Sequence, residues 1–411
     1  MTPPARTRVA IACQGGGSHT AFTAGVLARL LQPECLEGYE VVGLSGTSGG
    51  AVCATLAWAA LVEGDPARAG RLLEGFWTDN SATEPYERLL NAWGLWASAA
   101  SQFVVAPAVS PYDTPFSALG LEDFRAMLLR QVDPATLGVR PDDAMLLIGA
   151  VDVLTGEFRT FNSRREAITA DAVLASAAIP TVFRAVRLEG GTYWDGLFSQ
   201  NPPVRELADT APDEIWVIQI NAPERESEPT TVVEIADRRN ELAGNLSLHQ
   251  ELHFIEKIDQ LLAEGVIAPG GRYKPIMVRV IELSRSRLSA WLGPASKLNR
   301  DPAFIRELIE HGAERADEFL AALSFERAWR AGDAEAVLEH FAEDAELAGE
   351  ESLDDFVRRH LTGDVAVDTT RKQVARDGIT WSVRIDGTRA SAHARLRDGR
   401  ITHFGVTAAR R

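Results

Sequence analysis

One stretch constrains this chain more than any other: Val41-Val42-Gly43-Leu44-Ser45-Gly46-Thr47-Ser48-Gly49-Gly50-Ala51. An apolar run that reads as a buried strand stops at a serine set among glycines, and a helical run from Ala51 to Glu63 follows. Gly46-Thr47-Ser48-Gly49-Gly50 satisfies G-x-S-x-G in the strand, turn and helix context of a nucleophile elbow. A strand that turns so sharply into a helix forces its serine into a strained conformation, so the neighbours must lack a Cβ to clear the turn. The hydroxyl then projects above the sheet edge beside the amides of a helix N-terminus, Gly49 among them, where a developing oxyanion is stabilised. A tightly packed loop without chemistry is the plain alternative.

A second glycine cluster precedes it. Arg8 to Cys13 reads as a short apolar strand, followed by Gln14-Gly15-Gly16-Gly17-Ser18-His19 and a helix with Phe22, Val26, Leu27 and Leu30 as its apolar positions. Successive glycines at a helix start let backbone amides turn inward together and cradle an anion. A dinucleotide phosphate would require G-x-G-x-x-G and an acidic residue at the end of the next strand. Here Thr20 stands where the last glycine should be, and the strand from Glu40 to Leu44 has its only acidic residue at its start. An oxyanion cradle is the better reading; a loop that merely turns the chain is the alternative.

The remaining bounds are broad. A length of 411 residues suggests two or three domains, and 45% hydrophobic with 24% charged residues is ordinary globular composition. From Phe325 onward there are 14 Lys and Arg against 16 Asp and Glu, so −14 of the net charge of −16 lies on the first 324 residues. That argues against nucleic acid as a partner and against adsorption to anionic lipid heads. Cys13, Cys35 and Cys53 are too few, and too apolar in context, for a disulfide framework or a metal site. The N-terminal residues lack the pattern of a signal peptide and no apolar run reaches about 18 residues, so a soluble cytoplasmic protein is expected.

Further along, residues 77 to 117 are rich in aromatics and prolines, including Trp77, Tyr86, Trp93, Trp96, Phe103, Tyr112 and Phe116. They suit either an apolar rim over a site or a packed helical insertion. Residues 145 to 161 read as a hairpin, and a helix from Ala167 to Ala178 should stop at Pro180. Asp195-Gly196 ends a short strand, as many ordinary turns do. Apolar strands at 214 to 220 and 275 to 281 bracket a charged helical region, and 300 to 323 form an amphipathic helix that would close the domain. Alternating strands and helices predict a mostly parallel sheet covered on both faces. Residues 325 to 347 read as helical, followed by hairpins turning at Asp377, Asp386 and Asp398.

Four motifs occur in one order and spacing: Gln14-Gly15-Gly16-Gly17; Gly46-Thr47-Ser48-Gly49-Gly50; Ala175-Ser176-Ala177-Ala178-Ile179-Pro180 with Phe183; and Asp195-Gly196 with Asn201-Pro202. Together they resemble patatin-like phospholipases over roughly the first 280 residues. The resemblance implies an α/β patatin-like sandwich with a mostly parallel central sheet and a Ser48/Asp195 catalytic dyad. It also implies an oxyanion hole from Gly15, Gly16 and Gly17, with Gly49 beside them, and hydrolysis of lipid acyl esters without a cofactor or metal. The family's glycine loop usually continues with a basic residue and a glycine, where this chain has His19 and Thr20, and a small residue usually follows its Asp-Gly, where this chain has Leu197. A dyad is chemically sound, because burial raises a carboxylate's pKa from about 3.9 toward that of a useful base. The rival is a triad using His249, His253 or His311; solvated helix positions account for the first two as well.

The segment opening Ala328-Trp329-Arg330-Ala331-Gly332-Asp333 resembles, over about 85 residues, the nuclear-transport-factor-like (polyketide-cyclase-like) group, which implies a small C-terminal α+β cone that binds ligand or dimerises. The expected organisation is an acyl hydrolase domain at 1–324 and this second domain at 325–411. The partners expected are a lipid or acyl-ester substrate, transient contact with a lipid surface and a homodimer through the C-terminal domain, with no nucleic acid. A non-catalytic lipid-binding or scaffold protein on the same fold is the alternative.

Overall fold

Apolar runs without polar alternation need cover on both faces, and in this chain they become the centre of a sheet. The computed structural model describes residues 6–100, 110–113, 116–180, 182–225, 227–268, 273–283, 292, 295–347, 352–355, 357, 372–375, 378–385, 388–397 and 400–408. Its first eight strands are β1 (Thr7–Cys13), β2 (Tyr39–Gly46), β3 (Met145–Asp152), β4 (Phe158–Asn162), β5 (Val186–Leu188), β6 (Gly191–Asp195), β7 (Glu214–Gln219) and β8 (Met277–Glu282). Five more follow: β9 (Phe341–Leu347), β10 (Lys372–Ala375), β11 (Gly378–Ile385), β12 (Thr388–Arg397) and β13 (Arg400–Ala408). The helices are α1 (Ala21–Leu30), α2 (Gly49–Val62), α3 (Arg68–Asn80), α4 (Pro85–Ala100), α5 (Phe116–Gln131), α6 (Ala170–Ala177), α7 (Val232–Ala263), α8 (Pro302–Ala331) and α9 (Ala334–Glu339).

The centre of the sheet, β3-β2-β1-β7-β8, is parallel throughout, as the alternation of strands and helices predicts. The β5–β6 hairpin adds an antiparallel edge on β3, and β4 pairs with β3 beside it. Two cores follow from the two faces. One packs Phe22, Leu27, Trp58 and Phe304 from α1, α2 and α8 against Ile11, Leu44 and Ile148. The other packs Leu248, Leu252 and Ile255 of α7 against Ala10, Leu147 and Val217. α2 has no polar face because both its sides are covered, and Val52, Leu56 and Trp58 are all buried. The three cysteines are free and buried. Among the described residues, no helix is long and apolar enough to cross a membrane.

The expectation for 300 to 347 is corrected in two places. α8 starts where Asp301 caps the amides of Ala303 and Phe304, with Pro302 in its first turn, but it runs past 323 to Gly332 in the left-handed region (φ 70°). Nothing between Leu323 and Ala331 breaks a helix, so the division expected between 324 and 325 falls inside α8. Residues 341 to 347, read as the end of a helical run with Phe341 among its apolar positions, are strand β9, paired in parallel with β13. Phe341 anchors it against Phe325 and Phe404, at ring separations of 6.0 and 5.8 Å, so tertiary packing outweighs local propensity. β11, β12 and β13 form the expected antiparallel meander, and β10 joins it to β8. The turns at Asp377, Asp386 and Asp398 lie outside the described residues, as does Phe103.

A buried ion cluster fastens α8 to the sheet. Arg279 of β8 grips Glu214 of β7 through two bonds of 2.6 Å and Glu326 of α8 through one of 2.8 Å, while Arg330 reaches Glu326 at 2.7 Å. Removing one member of such a cluster leaves uncompensated buried charge, and costs about 3–5 kcal/mol. Arg279→Ala is therefore expected to lower the unfolding free energy by that amount in urea titration. A loss below about 1 kcal/mol would show that the cluster does not hold α8.

Candidate active site

The sheet register brings the site together. Gly46 of β2 pairs with Ile148 of β3, and two residues further along β3 Ala150 pairs with Asp195 of β6. Ser48, two residues past Gly46, and Asp195 are thus level with each other at one end of the sheet, with β3 between their strands. β1 ends at the same level, Cys13 pairing with Gly46, and releases the glycine loop over them.

Ser48 has φ 58° and ψ −132°, a left-handed conformation that a residue with a Cβ adopts only under constraint. The constraint is visible. α2 begins at the next residue, and Ser48 N–H donates to Ser176 Oγ at 3.0 Å, while Ser176 Oγ donates to Gly149 O at 2.6 Å. Ser176 is delivered by α6, which starts at 170 rather than 167 because Thr169 caps it, accepting from Ala172 N. Thr47 Oγ1 donates to Gln200 O at 2.6 Å, holding the other side of the turn.

The glycine loop lies directly on Ser48. A Cβ on Gly15 would come within 2.5 Å of Thr47 O and 2.8 Å of Ser48 Cβ, so only glycine fits. Gly17 takes φ 58°, which glycine adopts without strain. A buried amide network fixes the loop: Gln14 Oε1 accepts from Ile220 and Asn221 N–H, Gln14 Nε2 donates to Asn245, and Asn221 Nδ2 donates to Gly15 O. Gly15 N–H donates to Asn201 Oδ1 at 2.7 Å, so this member of the expected oxyanion hole is occupied and serves to position the loop. The amides of Gly16, Gly17 and Gly49 have no acceptor among the described residues. Gly15, Gly16 and Gly17 line a cavity of about 230 Å³ with Ser48 and Asp195, whereas Gly49 stands behind Ser48 outside that lining. His19, at the family's basic position, is buried, with its Nε2 2.7 Å from Ser296 Oγ.

Asp195 is 2% exposed. Burial pushes its carboxyl up to about 7, while the Ser48 hydroxyl and the Leu197 N–H, 2.8 Å from Oδ1, pull against that rise by stabilising the charged form. No histidine lines the cavity among the described residues. His253 is exposed on α7 and pairs with Glu256 at 3.7 Å, His249 is exposed on the same helix, and His311 is buried in α8 against Phe22. Among the described residues the aromatic rim expected from 77 to 117 contributes no lining residue either: Trp77 is buried in the core, and Tyr86 and Trp93 of α4 face outward.

Two pH effects follow. If ionised Asp195 is the base, kcat/KM for a soluble ester rises with pH through about 7 and then levels off. The folded pKa lies above the unfolded one, so this group's contribution to stability is fully present below about pH 4 and is lost as pH rises through about 7. Asp195→Asn is accordingly expected to raise Tm relative to wild type more at pH 8.5 than at pH 5, as scanning calorimetry at both values can check. Equal shifts at the two values would show that Asp195 ionises normally.

Residues 11–208 match the family model described as patatin-like phospholipase. The chain is also similar to VipD from Legionella pneumophila, with 13% identity over 78% of this chain and 67% of that one and a TM-score of 0.32. Its similarity to the type III effector protein ExoU is 15% identity over 82% of this chain and 62% of that one, with a TM-score of 0.25. These structural likenesses are loose, and the family assignment rests on the sequence match. A comparison with curated proteins finds no match. The matched span holds the glycine loop, Ser48, Ser176, Asp195 and Asn201, and residues 11–208 are a domain of the patatin-like phospholipase family, a family of lipid hydrolases.

Proposed function

We propose that this chain hydrolyses acyl esters of lipids through Ser48 and Asp195. The observation that carries the reading is the pairing of a strained, buried serine with a carboxylate raised to about 7, inside one cavity with the glycine loop. A base works best when its pKa lies near the working pH, and burial supplies that match without an imidazole. In this reading Asp195 takes the hydroxyl proton as Ser48 Oγ attacks the acyl carbonyl, and the amides of Gly16 and Gly17 donate to the oxyanion. Asp195, now protonated, returns the proton to the leaving alkoxide. Water then attacks the acyl-enzyme with Asp195 again as base, releasing the fatty acid and Ser48.

The cavity's chemistry supports an ester with one apolar and one polar arm. Ile179, Val182, Leu197, Val233 and Leu298 are apolar members of its lining, and Asn201, Asn221, Asp237, Asn240 and Lys297 polar ones. The C-terminal strands take no part in this chemistry, and ligand binding or dimerisation is the role we assign them.

Ser48→Ala is expected to lower hydrolysis of p-nitrophenyl butyrate by at least about a thousandfold while circular dichroism and Tm stay near wild type. Turnover within about tenfold of wild type would end the reading. Lipid binding by a wild-type chain with no turnover would favour the scaffold alternative.

A further inference from the structure

Three glycines in a row leave a loop free to take many shapes, so a cradle that presents its amides in one shape has to be fixed from outside. The first half of this loop is held by Gln14 and Asn201. The second half is held by the two residues at which the chain departs from the family's usual loop, His19 and Thr20. Thr20 is fully buried, and its Oγ1 donates to Gly17 O at 2.6 Å. His19 is 3% exposed, and its ring packs edge-on against Phe304 of α8 at 6.1 Å. Its Nε2 is hydrogen-bonded to Ser296 Oγ at 2.7 Å, across 277 positions of sequence.

Ser296 opens the short turn Ser296–Leu298, whose Lys297 and Leu298 line the cavity together with Gly15, Gly16 and Gly17. Loop and turn meet closely: a Cβ on Gly17 would come within 2.3 Å of Lys297 O. The turn is itself anchored, since Asn299 Oδ1 accepts from Asp301 N–H at 3.0 Å and Asp301 caps α8. We propose that His19 and Ser296 are positioning residues: their hydrogen bond latches the glycine loop to this turn and so fixes where the amides of Gly16 and Gly17 stand. A displacement of about 1 Å in catalytic geometry can cost about a hundredfold in rate, which is what the latch prevents. The proposal rests on the hydrolase reading for its effect on turnover, whereas the latch itself can be read without turnover.

The test uses the full-length chain and two measurements: hydrogen exchange of the peptide spanning residues 14 to 22, read by mass spectrometry, and steady-state hydrolysis of p-nitrophenyl butyrate. Ser296→Ala is expected to speed exchange in that peptide at least about tenfold while peptides from β2 and β3 keep their wild-type rates. Its kcat should fall about ten- to a hundredfold with KM within about threefold of wild type, because an oxyanion donor acts in the transition state and not on the bound ester. His19→Gln, whose amide reaches the position of Nε2, should keep both readouts within about threefold of wild type. His19→Asn, whose side chain stops at the position of Nδ1, should behave as Ser296→Ala does. Side chains that only fill space would give neither this split nor this rescue. The proposal is overturned if Ser296→Ala leaves exchange unchanged or kcat within about threefold, if the loss appears in KM, or if the Gln and Asn variants behave alike. Should Ser296→Ala fail to fold, the two His19 variants decide by the same readouts. A wild-type chain without turnover would sink the hydrolase reading alone, and exchange would then decide the latch.

Discussion

The site depends on one backbone constraint, the left-handed turn at Ser48. A non-glycine residue held there costs about 1–3 kcal/mol, and the conformation persists only because the surroundings over-determine it. Here β2 is locked between β1 and β3, α2 is buried all round, Ser176 accepts the Ser48 amide and Thr47 is tied to Gln200. The strain places the hydroxyl off the end of the sheet, level with Asp195. Had the turn been relaxed, the side chain would follow the strand's alternation and meet one of the two cores instead.

Around that turn the protein buries polar groups and satisfies them. Gln14, Asn201, Asn221 and Asn245 lie under the glycine loop, all within 5% exposure, and bond to one another or to backbone. Such a network is costly if half made and rigid when complete, which is what a preformed oxyanion site needs. Asp195 is the contrasting case. Among the described residues it has few partners and no cation, so burial dominates and the carboxyl is shared between its neutral and charged forms near pH 7. The same isolation that weakens the fold above pH 7 gives the proposed mechanism a base of useful strength.

The reach of sequence reasoning follows the range of the interactions involved. The elbow and the glycine loop are local events, dictated by backbone sterics within a few residues, so Ser48 and Gly15 to Gly17 could be read directly. Asp195 could not be read from its own neighbourhood, where an Asp-Gly turn is unremarkable, and only its company with the other motifs pointed to it. The Gly15 amide was misjudged because its partner, Asn201, lies 186 positions away. Gln14, Ser176 and Asn201 belong to the four motifs without a role of their own being legible there, and Asn221 and Lys297 carry no signal at all, since single amides and lysines acquire meaning only from what faces them. The end of α8 and the strand β9 failed for a related reason: long-range aromatic contacts of Phe325, Phe341 and Phe404 decide them.

The central claim is that Ser48 is a nucleophile switched on by one buried carboxylate. It is tested most directly by following the rate of fluorophosphonate labelling across pH 5 to 9, with the adduct mapped by peptide mass spectrometry. The account expects one adduct, on Ser48, with a rate that follows a single ionisation near 7 and becomes pH-independent and very slow in Asp195→Asn. An adduct on another residue, or a labelling rate on Ser48 that Asp195→Asn leaves unchanged, would contradict it.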